Sequence, residues 1–331
     1  MTFHHRHLCL LTTLFTVGCF LIVTADAGYC GLQDNYYQTS CPSAEAVINA
    51  VAVANFTSDA FALRFASGLL RMSFHDCHVD GCDASVLLDG PGSEKTAEIN
   101  HFLTGYEIID KAKEELEAIC PGVVSCADII AYAARDAIVA LNGTRFEVQG
   151  GRKDGRVSIA SRAESQLPNG DMGVDELTAN FALKGLSRDQ MVVLSGAHTS
   201  AAGHCPGLVK RLYDFRGTGQ TDPSMPQAFA DQLKFQCPKA TFNESVFITM
   251  DTFTPFFDTG YYRSLQNHEG VFTSDQSLYD DERTQPLVNT LTDNNLFQAK
   301  FGEAMRAMGS IGVNLDGEIR KDCRKVNTVP Y

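Results

Sequence analysis

Cysteine usage constrains this chain more than any other feature. The sequence holds eleven cysteines, and two of them, Cys9 and Cys19, lie in a stretch that reads as an export leader. His4, His5, Arg6 and His7 make a short basic start, Leu8 to Val23 is mostly apolar, and Ala25-Asp26-Ala27 has the form of a cleavage site. Cleavage there makes Gly28 the first mature residue. The competing reading is a membrane anchor, but the run is shorter than the ~20 apolar residues a spanning helix needs. Nine cysteines then remain: Cys30, Cys41, Cys77, Cys82, Cys120, Cys126, Cys205, Cys237 and Cys323. In an oxidising compartment they read as four disulfides and one residue left over, with the pairing open. Sequons at Asn55, Asn142 and Asn243 suit an exported glycoprotein, although such triplets also arise by chance.

At 331 residues, 44% of them hydrophobic, the chain can bury a core in one large domain or two closely packed lobes. Acidic residues outnumber basic ones by 40 to 27, a formal charge of −13. A nucleic-acid binder shows the opposite balance. No second long apolar run follows the leader, so the mature chain is expected to be soluble, with neutral or cationic small partners.

Periodicity predicts a mainly α chain. Asp59 is placed to cap a helix through Phe61, Phe65, Leu69 and Met72. Gly105 to Ile119 is amphipathic. Cys126 to Leu141 is apolar nearly all round and should be a central buried helix, within which Asp128 and Arg135 need partners. Ser187-x-x-Gln190 has the form of a capping box. Leu287 to Met308 reads as one long helix. Strand-type alternation is scarce, and there is no internal repeat. A connector at 168–173 divides the chain into halves, each with one notable histidine.

Three segments carry candidate chemistry. The first runs Arg71-Met72-Ser73-Phe74-His75-Asp76-Cys77-His78-Val79-Asp80-Gly81-Cys82-Asp83-Ala84-Ser85. Arg71 and His75 are four apart and share a helix face, where a cation and an imidazole can do acid–base work on a bound peroxide. Asp76, Asp83 and Ser85, with the carbonyls of Val79 and Gly81, offer hard oxygen ligands suited to Ca²⁺. The same residues also read as a zinc knuckle of His75, Cys77, His78 and Cys82, or as a solvated turn with a core histidine. The second segment, Leu194-Ser195-Gly196-Ala197-His198-Thr199, shows a lone histidine that by itself reads as structural. In the third, Asp251, Thr254 and Asp258 could form another oxygen-rich cation site or an ordinary surface turn; Ser274-Asp275-Gln276 follows.

Taken together these segments resemble the secretory plant peroxidases, the class III haem peroxidases. The resemblance runs from about Gly31 to Asn327, and chance agreement at R-x-x-F-H-D-C-x-V-x-G-C-D-A-S, L-S-G-A-H-T, S-D-Q and the cysteine spacing is negligible. It implies a mainly α, two-lobed fold with haem b between a distal lobe (about 28–170) and a proximal lobe (about 171–310). A leader over 1–27 and a C-terminal segment over 311–331, returning by disulfide, complete the expected domain plan. His75 resembles the distal acid–base residue and Arg71 the arginine that stabilises charge as the O–O bond breaks. Asn100, held by Glu94, would accept the other His75 N–H. His198 matches the proximal iron ligand and Asp275 the carboxylate behind it. Asp76, Val79, Gly81, Asp83 and Ser85 resemble one calcium site, and Thr199, Asp251, Thr254 and Asp258 a second. Pro168 matches the proline at the donor edge. The implied disulfides are Cys41–Cys120, Cys77–Cys82, Cys126–Cys323 and Cys205–Cys237, and Asp128 with Arg152 resembles a buried ion pair.

The sequence departs from the family pattern at named places. Ser200-Ala201 follows His198-Thr199 where a bulky apolar residue and glycine are usual, which bears on proximal packing rather than on the ligand. The stretch between Pro255 and Asp258 is one residue short, leaving one proximal carbonyl ligand unassigned. Glu98-Ile99 replaces a small residue and proline at the haem-edge entrance. His78 stands where an aromatic apolar residue is usual and is expected at the surface. Cys30 precedes the family's usual start.

The implied activity is hydrogen-peroxide-dependent one-electron oxidation of phenolic and other small aromatic donors through a ferryl haem intermediate. The expected protein is a monomer in the extracellular space rather than a vacuole, removing peroxide and generating radicals. Two other classes compete. A non-enzymatic wall protein that binds glycans or a partner would not need the intact set of Arg71, His75, Asn100, His198 and Asp275. A secreted thiol or metal hydrolase would need Cys77 or Cys82 unpaired.

Overall fold

The computed structural model describes residues 31–56, 60–241, 246–251, 256–313 and 316–328. The leader, Cys30, the cap at Asp59, the sequon at Asn243 and the cation-site residue Thr254 lie outside them. The first half of the chain, the distal half that the resemblance implies, holds α1 (Ala44–Asn55), α2 (Ala60–His78), α3 (Tyr106–Ile119), α4 (Cys126–Ala140) and α5 (Ala160–Gln166). The proximal half holds α6 (Val174–Leu183), α7 (Arg188–Ser195), α8 (Cys205–Tyr213), α9 (Gln227–Gln236), α10 (Gly260–Gln266), α11 (Thr273–Asp280), α12 (Gln285–Thr290) and α13 (Asn294–Met308). The sheet among the described residues is one antiparallel pair, β1 (Ala202–His204) and β2 (Phe247–Thr249), with Gly203 opposite Ile248.

The buried helix expected over Cys126 to Leu141 is α4, and the fold is built around it. Ser125 caps its start by accepting the Asp128 N–H at 3.1 Å. The Asp154 carboxylate accepts the N–H groups of Cys126 and Ala127 at 3.1 and 2.9 Å, so the helix end is satisfied twice. α1 and α2 pack against α4. Its three buried charged residues, Asp128, Arg135 and Asp136, have the partners that burial demands. Asp128 accepts from Arg152 Nη1 at 2.8 Å, and from the Tyr37 hydroxyl and the Gly151 N–H at 2.7 Å each. Arg152 also donates through Nε to the Gly309 carbonyl at 2.9 Å, which joins α4 to the end of α13. Arg135 pairs with Glu45 of α1 at 2.8 Å and with Asp136 at 2.9 Å.

All four implied disulfides are present. Cys126–Cys323 closes a separation of 197 residues and brings the C-terminal segment onto the start of α4. The Arg320 N–H bonds Asp154 at 2.9 Å, and its guanidinium reaches the Ala84 carbonyl at 2.6 Å. A smaller core of Leu208, Leu212, Phe229, Leu233 and Ile248 sits under α8, α9 and the strands, where Cys205–Cys237 joins the two helices.

The single helix expected from Leu287 to Met308 is instead α12 and α13. Leu291 ends α12 and stays buried, and Asp293 accepts the Leu296 N–H at 3.0 Å to start α13. A short acidic side chain bonds the backbone locally and turns a continuous apolar stripe into two helices.

Replacing Arg152 with alanine leaves the Asp128 carboxylate buried without its cation. The expected cost is ~3–5 kcal/mol, seen as a lower urea midpoint with all four disulfides intact; an unchanged midpoint would show that Tyr37 and Gly151 suffice.

Candidate active site

α2 places Arg71 and His75 one turn apart, as their spacing requires. His75 is buried, and its Nδ1 lies 2.5 Å from Asn100 Oδ1. Asn100 Nδ2 donates to the main-chain carbonyl of Glu94 at 2.8 Å. That leaves Asn100 Oδ1 to accept, which assigns the proton to Nδ1 of His75 and the lone pair to Nε2. Arg71 Nε donates to this Nε2 at 3.1 Å, and Arg71 Nη2 to the Ile99 carbonyl at 2.9 Å. Burial first, and the Arg71 charge second, hold the His75 pKa well below the usual histidine range. His75 is therefore a neutral base.

Opposite α2, the segment 196–200 forms a tight 3₁₀ turn after α7 and carries His198. His198 Nδ1 lies 2.7 Å from Asp275 Oδ1, so its other ring nitrogen is left for the cavity that the ring lines. Asp275 is the third residue of α11 and is buried; its Oδ2 accepts the Phe272 N–H at 2.9 Å, capping its own helix. The helix N-terminus stabilises the carboxylate charge there. The Ser67 hydroxyl of α2 donates to the Ser200 carbonyl at 2.5 Å, so the two sides are tied directly.

Between them lies a cavity of about 600 Å³ lined by Arg71, His75, His198 and Asp275, with Glu98, Ile99 and Pro168 also on its wall. That volume falls within the ~300–1,000 Å³ usual for cofactor sites. A family profile described as Peroxidase matches residues 49–294. Peroxidase 5 of Vitis vinifera is 44% identical over 305 residues, covering 90% of this chain and 92% of that protein. Peroxidase 71 of Arabidopsis thaliana is 43% identical, covering 97% and 99%. Peroxidase N1 of Nicotiana tabacum is 42% identical, covering 90% and 91%. The chain belongs to the peroxidase family. It is a haem peroxidase of the plant class III type, an enzyme that oxidises aromatic donors with hydrogen peroxide. The donor set fits haem: one histidine backed by a carboxylate on one side, a neutral base and a cation on the other.

Two oxygen-rich clusters flank the peroxidase cavity. On the distal loop, Asp76 Oδ1 and Ser85 Oγ are buried with no hydrogen-bond partner, an arrangement a cation would satisfy. Burial first, and the neighbouring Asp83 charge second, push the Asp76 carboxyl well above the usual carboxylate range. Gly81 has φ +123°, and a Cβ there would meet the Gly312 carbonyl at 2.5 Å, so only glycine turns this loop so close to residue 312. On the proximal side, the Thr199 hydroxyl lies 2.7 Å from Asp251 Oδ2 and 3.3 Å from Asp258 Oδ1. Among the described residues no three His, Cys, Asp or Glu side chains gather to hold a metal. A cation on the distal loop must therefore draw on carbonyl and hydroxyl oxygens.

Three readings are corrected. The zinc knuckle and the thiol hydrolase both need free Cys77 or Cys82, and these two are bonded to each other. His78 is not at the surface: it is 0% exposed, with its ring 4.0 Å from that of Phe74 and 4.8 Å from that of Phe181. Burial, then the Lys184 charge, brings its pKa down to about 3, so it packs as a neutral aromatic ring. Sequence reasoning also missed the Ile99 carbonyl, the Ser67 tie and Tyr261, whose hydroxyl bonds Asp275. None of these carries a local sequence signal, because each acts on a residue distant in the chain.

Both His78 ring nitrogens are buried without a partner. His78→Phe removes that cost and should raise stability by ~1–3 kcal/mol, read from the urea midpoint; a lower midpoint would show that the pocket is shaped for imidazole.

Proposed function

We propose that the peroxidase holds one haem b through His198 and two calcium ions at the loops around Asp76 and Asp251, and that its donors are phenols and related small aromatics. The observation that carries this reading is one cavity with Arg71 and His75 on one wall, His75 backed by Asn100, and the His198–Asp275 pair on the other. The distal calcium set is Asp76, Val79, Gly81, Asp83 and Ser85. The proximal set is Thr199, Asp251 and Asp258, with Thr254 carried by resemblance. Two lobes, about 28–170 and about 171–310, enclose the haem. The enzyme acts as a monomer in the extracellular space. The leader supports export, the sequon residues Asn55 and Asn142 are exposed, and no helix among the described residues is long and apolar enough to cross a membrane.

The haem, when bound, would supply the iron at which peroxide is reduced by two electrons and to which two donors return one electron each. His75 Nε2 takes the proton from one peroxide oxygen and returns it to the other, which leaves as water. Asn100 keeps Nδ1 protonated and Nε2 basic. The Arg71 guanidinium, held by the Ile99 carbonyl, stabilises the negative charge on the departing oxygen. Asp275 holds the Nδ1 proton of His198 and raises its electron donation. Pro168 lines the donor side. Glu98, also on the cavity wall, places a carboxylate where it repels anionic donors.

The purified enzyme should show a Soret band that shifts with one equivalent of peroxide and recovers on adding a phenol. His198→Ala should lose that band; near-normal turnover would remove His198 from the ligand role. His75→Leu should keep the band and react with peroxide ~10²–10⁴-fold more slowly; an unchanged rate would remove His75 as the base. Because the His75 pKa is depressed, the peroxide reaction should hold through mildly acidic pH and fall only well below 6.5. Arg71→Leu removes a repelling charge and should move that acid limb to higher pH in a stopped-flow profile. Glu98→Gln should raise kcat/KM for a phenolic carboxylate relative to a neutral phenol, and equal ratios would remove Glu98 from donor selection.

A further inference from the structure

We infer that Tyr261 sets how strongly Asp275 acts on His198, and so tunes the iron site; the inference rests on the reading of His198 as the iron ligand. Tyr261 is the second residue of α10, the helix that packs against the His198 turn. Its side chain is 1% exposed. Its hydroxyl donates to Asp275 Oδ1 at 3.0 Å, the same oxygen that meets His198 Nδ1 at 2.7 Å. The other oxygen, Oδ2, takes the Phe272 N–H. Burial first, and the Asp275 charge second, raise the Tyr261 pKa well above the usual phenol value, so the group is a fixed O–H donor.

Two donors on one carboxylate oxygen divide its charge between them. Whatever Asp275 lends to the Tyr261 hydroxyl is withheld from the Nδ1 proton of His198. A histidine whose Nδ1 proton is drawn strongly toward a carboxylate is more imidazolate-like, a stronger ligand, and favours oxidised iron. Tyr261 opposes that pull and moves the reduction potential upward. The rings of Tyr261 and His198 meet edge to face, with centroids 5.8 Å apart and planes at 86°, so the same residue also fixes the imidazole plane. Tyr261 does not line the cavity; it is a positioning residue that acts through Asp275.

The test measures the ferric/ferrous midpoint potential and the iron–histidine stretching frequency of the purified holoenzyme. Tyr261→Phe should shift the potential to a more negative value and the stretch to higher frequency, with haem content unchanged. Placing 3-fluorotyrosine at position 261 keeps the ring and strengthens the donor, so both readouts should move the opposite way. Unmoved readouts in the fluorotyrosine protein overturn the inference, including the case in which Tyr261→Phe merely loses haem or fails to fold. Absence of an iron–histidine band in the unsubstituted enzyme would instead strike the ligand reading beneath it.

Discussion

A carboxylate buried in the first turn of an apolar helix organises this molecule. Asp128 cannot be charged inside α4 unless a cation and several donors come to it. Adjacent Gly151 and Arg152 from the loop after α4, and Tyr37 from the N-terminal segment, meet that demand. Arg152 then spends its remaining donors on the Gly309 and Gln149 carbonyls. One charge inside a helix thus fixes the N-terminal segment, the loop after α4 and the end of α13 against each other. α2 lies on the same helix, and the distal residues inherit their rigidity from it.

The two walls of the cavity solve opposite electrostatic problems. The wall built on α2 keeps His75 neutral by burying it beside a guanidinium. The opposite wall sets a carboxylate behind a histidine, and Asp275 is held there by capping its own helix. Neither arrangement would work in the other place, because a carboxylate beside His75 would favour its protonated form. The Ser67–Ser200 bond holds the walls in register across a departure from the family sequence.

Much of this was legible beforehand because the informative residues are local. Arg71 and His75 share a helix face by spacing alone, α4 announces its burial by composition, and Ser187 with Gln190 forms the capping box its pattern predicts. The full disulfide pairing and the His198–Asp275 contact were not legible from spacing and came only through resemblance, because partners such as Cys126 and Cys323, 197 residues apart, or His198 and Asp275, 77 apart, leave no periodic trace. His78 was misplaced because a titratable residue was expected to stay in water, whereas two phenylalanine rings enclose it. The break at Leu291 was hidden by an apolar stripe that continues through it. Tyr261 sits in no motif, and only the folded chain brings its hydroxyl to Asp275.

The distal loop is completed by the last part of the chain. The Cys82 N–H bonds the Ile311 carbonyl at 3.0 Å, Gly81 lies against Gly312, and Arg320 holds the Ala84 carbonyl. Since a polypeptide emerges N-terminus first, the loop that follows His75 must wait, unfinished, through the synthesis of more than two hundred further residues. Every helix of the proximal half is made before that loop can close. Closure of the loop behind His75 is therefore a late event in the life of each molecule, set by the arrival of residues 311–320.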